Sequence, residues 1–171
     1  MIVAKSIVVI ATFIYYAIQY DVMKSLVVYY TRTKITQKVA QEIANKLDCD
    51  IEEIVPKVNY QGKLGYARGI KDGASAKIVD LEALKYDPKD YDIVYLGAPV
   101  WASKAANPLI SYLKQNEGKF AEVKFFLTAG SSGFESSFSQ MEKFSKKPLK
   151  TIALTTKQVK HGEYDLTSFL D

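Results

Sequence analysis

The stretch DIVYLG, residues 92–97, carries no charge after Asp92 and is apolar on both of its alternating faces. A strand built this way is buried on both sides, as in a parallel sheet covered by helices. It runs into Ala98, Pro99, Val100, Trp101, Ala102 and Ser103. A helix is expected over 108–115, with Pro108 at its start and an end near Gly118.

The same unit of strand, loop and helix repeats on either side. Upstream, SLVVYY (residues 25–30) is a buried strand. A polar turn over 31–36 follows, then a helix over 37–47 with Val39, Ile43, Ala44 and Leu47 on one stripe. Residues 51–55 read as a strand stopped by Pro56. Downstream, VKFFL (residues 123–127) is a fourth strand and leads through 128–133 into a helix over 135–144. Residues 151–154 supply a fifth, short strand, and 163–170 one or two closing helical turns. Within 59–75, Gly65, Gly69 and Gly73 recur at spacing four. As a helix this segment would present one glycine face for close backbone approach, at up to about 1 kcal/mol per glycine relative to alanine; a loop fits nearly as well.

Alternation of this kind predicts an α/β fold with helices on both faces of a parallel sheet. The right-handed crossover rule leaves few topologies. Five strands in the order 2-1-3-4-5 form a three-layer α/β/α sandwich with a crevice at the carboxyl ends of strands one and three. Function is therefore sought in the loops after Tyr30, Gly97 and Leu127.

The chain has 171 residues, room for one core, with no repeat or long linker to mark a second domain. The expected division is an extension over 1–22 and one domain over 23–171. Residues 7–18 (IVVIATFIYYAI) are almost wholly apolar but shorter than the roughly 20 residues of a spanning helix, and no A-x-A-like cleavage site follows. Three readings stand: a weak anchor, an uncleaved signal-like segment, or translated sequence upstream of a start at Met23. Any membrane contact is thereby confined to residues 2–20.

A single cysteine, Cys49, rules out an intrachain disulfide and suits a reducing compartment, so a cytoplasmic location is expected. One cysteine and one histidine, His161, also argue against a zinc site. The net charge of +4 is spread along the chain, densest at Lys146, Lys147 and Lys150. No basic stripe interleaved with aromatics speaks for nucleic acid.

Each of the three loops has chemistry and a plainer alternative. Thr31, Arg32, Thr33, Lys34, Ile35 and Thr36 join a strand to a helix N-terminus, where unpaired N–H groups and hydroxyls bind phosphate; equally, Thr33 or Thr36 is a simple N-cap. The P-loop spacing is absent. Trp101, the only tryptophan, either offers its indole to a flat aromatic ligand or packs over a helix. Thr128, Ala129, Gly130, Ser131, Ser132 and Gly133 either bring backbone amides close to a ligand or form a flexible connection. A hydrolase nucleophile elbow is disfavoured, because Gly130 and Gly133 enclose two residues rather than three.

Taken together, these residues resemble the flavodoxin family. VVYYTRTKITQKVAQEIA is similar to its first strand, phosphate loop and first helix. YDIVYLGAPVWASKAANPLISYL (residues 91–113) is similar to its third strand, second flavin loop and following helix, and FFLTAGSSG to its fourth strand and third flavin loop. Residues 62–74 are also similar to a glycine-bearing helix of archaeal and bacterial members. The likeness runs from about Lys24 to His161.

The resemblance implies FMN as cofactor, its phosphate held by Thr31, Thr33, Thr36 and the backbone of 32–35. It implies residues 98–103 along the isoalloxazine and ribityl chain, with Trp101 as stacking ring. Residues 129–133 would line the pyrimidine side, with Phe134 shielding an edge. The family's first loop reads T-x-T-G-x-T, and here Lys34 stands at the glycine. If that position requires φ > 0, the lysine carries strain of order 1 kcal/mol or more, which pairing with the phosphate offsets.

Three functions follow: an electron carrier working with redox partner proteins, an FMN-dependent reductase acting between a nicotinamide cofactor and a quinone, or a flavin-free binding module. The carrier needs no acid, base or nucleophile, and none is apparent.

Overall fold

In the computed structural model, residues 23–74 and 77–171 are described; the extension 1–22, with its apolar run, lies outside them. The central strands form where the sequence is β-branched and apolar: β1 (Ser25–Tyr29), β3 (Ile93–Trp101) and β5 (Glu122–Ala129) are almost wholly buried. β2 (Asp50–Glu53) and β6 (Thr151–Thr155) are the half-exposed edges. All five pair in parallel in the order β2-β1-β3-β5-β6. This is the expected order, with one short addition: β4 (Lys104–Ala105) folds back antiparallel on β3.

Strand alternation splits the core into two layers. Leu26, Val28, Val94, Leu96, Val123, Phe125 and Leu127 face one side, under α2 (Gly62–Ala74), α3 (Asn107–Gln115) and α4 (Phe134–Glu142). Val27, Tyr29, Ile93, Tyr95 and Phe126 face the other, under α1 (Ile35–Leu47), α5 (Thr156–His161) and α6 (Thr167–Leu170). A three-layer sandwich results. Gly97 makes room for its strand neighbour: a Cβ there would lie 2.0 Å from the Phe126 ring, which packs across it under α1, α5 and α6.

The open question over 59–75 resolves to a helix. The glycine face does what its spacing allows. Gly65 lies on the backbone of Tyr60, and Gly69 seats the Trp101 indole, since a Cβ there would come within 2.8 Å of the ring. The exposed helix interior is weak by propensity, so tertiary contact carries it.

Three expectations are corrected. Residues 98–103 are not one loop: β3 continues to Trp101, and only Ala102 and Ser103 turn, joining β3 to β4 as a two-residue hairpin with Trp101 opposite Lys104. Both turn residues have positive φ, 47° and 60°, as such turns demand. Sequence reasoning looks for Asn-Gly there, and Ala-Ser gives no such signal. Second, α1 begins at Ile35, two residues early. Third, 156–161 form a helix where none was expected, opened by a reciprocal cap between Thr155 and Gln158.

Candidate functional site

The carboxyl ends of β1, β3 and β5 converge on one cleft of about 160 Å³. Arg32, Thr33 and Ile35 line it from the first loop, Pro99, Val100 and Trp101 from the end of β3, and Thr128, Ala129 and Gly130 from the end of β5. Residues from all three loops singled out in the sequence therefore meet at the crevice that this strand order creates.

The first loop makes one wall. Lys34 is the N-cap of α1 with φ 64° and ψ 4°, so the glycine-type conformation is present and a lysine adopts it. No side chain caps the helix, which disposes of Thr33 and Thr36 as N-caps. The first turn carries no acidic residue either. Among the described residues, the backbone N–H groups of 31–37 meet no acceptor. These bare donors and the helix dipole form an anion-seeking corner.

Thr36 is buried, and its hydroxyl lies 2.8 Å from that of Thr128, tying the loop to β5 beneath the cleft. Thr31 is also buried, whereas Thr33 is exposed. Lys34 is exposed and is not among the residues that line the cleft.

Trp101 lines the cleft but is only 4% exposed. Its ring meets Tyr30 edge-on at 5.5 Å and Tyr60 at 5.1 Å, with Gly69 against it. The expectation that it presents an indole face for stacking is corrected: the ring is part of the core beneath α2. The exposed aromatic at this site is Tyr66 on α2, 46% exposed, with the Arg32 guanidinium 4.7 Å from its ring centre. Nothing in the sequence marked Tyr66 or Thr156, the other unforeseen lining residue, because both come from segments outside the three loops. Thr156 donates from Oγ1 to the Ala129 carbonyl at 3.0 Å.

Other expected residues stand back from the cleft. Ala102 and Ser103 form the hairpin turn, and the Ser103 carbonyl accepts from Ser136 Oγ at 2.6 Å. Gly133, φ 88°, is the N-cap of α4, and a Cβ there would lie 2.8 Å from Ser103 Cα. Gly133 thus lets α4 meet the hairpin, and Ser131 is exposed at the rim. The phenols around the site are held protonated. Burial, first, and then the Glu53 charge outweigh the Gln37 hydrogen bond and raise Tyr29 to about 12. Burial, only partly countered by Arg32, pushes Tyr30 higher still. Cys49 lies at the opposite end of α1, half-buried, its thiol raised to about 11 by burial and by Asp50 and Asp48. Among the described residues no His, Cys, Asp and Glu cluster is arranged for a metal, and no helix is long and apolar enough to cross a membrane.

A doubly wound parallel sheet with a polar, donor-rich crevice at its switch point defines a class of mononucleotide-binding α/β proteins. The comparison with family models is specific: the flavodoxin model matches residues 24–164, and the chain belongs to the flavodoxin family. Among solved structures, a flavoprotein from Lactobacillus acidophilus in complex with FMN is 21% identical, with TM-score 0.65, covering 83% of this chain and 99% of that one. A candidate flavoprotein from Bacteroides uniformis is 22% identical, with TM-score 0.70, covering 82% and 97%. Another from Bacteroides eggerthii is 19% identical, with TM-score 0.68, covering 85% and 97%. At these identities the likeness is one of fold. No curated protein matches the sequence significantly.

Proposed function

We propose that this chain binds FMN at the convergent cleft and serves as an electron-transfer flavoprotein. The observation that carries the reading is the row of unpaired N–H groups over 31–37 at an uncapped helix start, of which Arg32, Thr33 and Ile35 line the crevice. A phosphate monoester satisfies several such donors at once, and Thr33 and Arg32 add a hydroxyl and a charge. The family membership and the FMN complex of the Lactobacillus relative support the choice of anion.

The residues present fit the group. Lys34 holds the glycine-like turn and is not among the lining residues, Gly130 has open space where a Cβ would be, and Pro99, Val100 and Ala129 offer small apolar walls. At about 160 Å³ the cleft is below the usual 300–1,000 Å³ of a ligand pocket, so Arg32 and Tyr66, which meet across its mouth, must part to admit a flavin. Bound FMN supplies the redox chemistry. The chain's part is to grip the phosphate, wall the ring from water and leave one edge accessible. No acid–base or nucleophilic residue is required, and the raised phenols hold their protons at neutral pH. Redox proteins exchange electrons with it, in a cytoplasmic setting that the lone cysteine suits.

Titration of the full chain with FMN, followed by flavin fluorescence, tests this. Saturable uptake at one FMN per chain is expected. A protein that stays colourless in excess FMN contradicts the reading and leaves a flavin-free module.

A further inference from the structure

The outer face of α2 has a composition that the cleft does not explain. Helical spacing turns Gly65, Gly69, Asp72 and Gly73 inward and leaves Lys63, Ala67 and Lys71 along the middle of the outer face. Leu64 and Arg68 flank that row on one side, Tyr66 and Ile70 on the other. Leu64 is 88% exposed, the most exposed of the large apolar side chains among the described residues. The only carboxylate of the helix, Asp72, is buried and takes a hydrogen bond from Tyr60 Oη at 2.9 Å. The outer face is therefore cationic without an acidic residue of its own. A groove of about 510 Å³ runs beside it, lined by Ala67, Arg68, Lys71, Asp72 and Lys77.

Among the described residues, Lys63, Arg68 and Lys71 make no ion pair, and neither do Arg32, Lys34 and Lys57 at the adjoining rim. At the groove itself Lys77 meets Asp72 at 4.0 Å, and lysines on other faces are mostly unpaired as well. What sets this face apart is that its cations share it with an exposed leucine and no carboxylate. Unpaired cations gathered around an exposed leucine match the layout of a protein interface, an apolar anchor with a charged rim that steers its partner. Tyr66 links this face to the cleft through Arg32.

We infer that the outer face of α2 is the docking surface for an acidic redox protein, with Leu64 as anchor and Lys63, Arg68 and Lys71 as the complementary charges. The identity of the partner as a redox protein rests on the function proposed above; the acidic chemistry rests on the helix alone. Docked there, a partner's redox centre approaches the mouth of the cleft at Tyr66. An anionic membrane is the poorer occupant, because the row Lys63, Ala67 and Lys71 separates Leu64 from Tyr66 and Ile70 and no continuous apolar face forms.

The test reads binding, so it works on the full chain with or without flavin. A strongly acidic, oxidised plant-type ferredoxin is the probe, titrated at low and at near-physiological salt by calorimetry and by amide shift mapping. Binding that weakens with salt is expected, with shifts at residues 63–71, and the variant Lys63→Glu/Arg68→Glu/Lys71→Glu should lose at least about tenfold in affinity. Leu64→Ala should weaken binding at both salts. Failure of the wild-type chain to bind, undiminished binding by the triple variant, or shifts confined to another face overturns the proposal. Retention on phosphatidylserine vesicles or self-association, either abolished by the same variant, reassigns the face and overturns it too. FMN titration of that variant is a separate reading: unchanged flavin uptake beside lost docking is expected, and absent uptake in wild type strikes only the flavin assignment.

Discussion

The two ends of the sheet are built to different standards. At the amino end most polar groups are satisfied, the buried Tyr112 Oη on α3 being left without a hydrogen-bond partner among the described residues. The Lys24 backbone N–H donates to Asp92 Oδ2 at 2.7 Å, Tyr91 Oη donates to Asp50 at 2.8 Å, and buried Lys124 donates to the carbonyls of Phe169 and Leu170. Asp87 caps a short 3-10 turn and meets two lysines. At the carboxyl end, α1 starts without a side-chain cap and the 31–37 amides are bare. Of the four non-glycine residues with positive φ among the described residues, Lys34, Ala102 and Ser103 stand there. The fourth, Asp48, ends α1 in a left-handed C-terminal cap whose N–H bonds the Ala44 carbonyl. Backbone strain and unmet backbone donors thus concentrate at the carboxyl end, which is where binding sites keep them, while the unmet group at the amino end is a single phenol, Tyr112 Oη.

That contrast can be broken or sharpened by substitution. The largest effect is expected in the core layer under α1, α5 and α6, where Phe126 packs across Gly97. Gly97→Ala drives a Cβ into the Phe126 ring and should cost about 3 kcal/mol, a fall in Tm of roughly 6–12 °C by calorimetry. If the site end carries the strain, relieving its hairpin should stabilise. Ala102→Asn/Ser103→Gly gives the turn the residues it favours and should add about 1–2 kcal/mol in denaturant melts. An unchanged midpoint would show that the turn is not strained.

A smaller pair compares the two ends of α1. Lys34→Gly and Asp48→Gly should each stabilise by up to about 1 kcal/mol, since both free a left-handed position. Only Lys34→Gly should alter flavin binding, leaving affinity similar but its salt dependence shallower. A large gain in affinity would show that the lysine obstructs the corner.

At neutral pH the smallest effect comes from the phenols. Tyr29, raised to about 12, is protonated in the folded chain when unfolded tyrosine ionises near 10. Its contribution is intact below pH 10 and is lost as pH rises towards 12. Denaturant melts across that window should show falling stability, less steeply for Tyr29→Phe.

How far the sequence could be read follows from the same physics. Strand order was legible because β1, β3 and β5 are apolar on both faces and separated by clear turns, and the buried stripe of α1 was equally plain. The site loops were legible because parallel strands deliver their carboxyl ends to one edge. Trp101 misled because its environment depends on Gly69, a contact made across the fold rather than along the chain. The hairpin was hidden by Ala-Ser in a turn that favours Asn-Gly. Tyr66 was hidden because only the docking of α2 through its glycines brings that ring to the cleft. The α5 helix does carry a local signal, Thr155 and Gln158 at capping-box spacing, but six residues leave too little periodicity to mark a helix beyond that cap.

The most direct measurement is the ratio of affinities for FMN and riboflavin, which differ by the phosphate alone. If the bare amides of 31–37 are the anchor, losing their charge-assisted bonds costs about 3 kcal/mol or more, and riboflavin should bind at least about a hundredfold more weakly. Equal affinities would contradict the account, because the flavin would then be held without the corner at the start of α1.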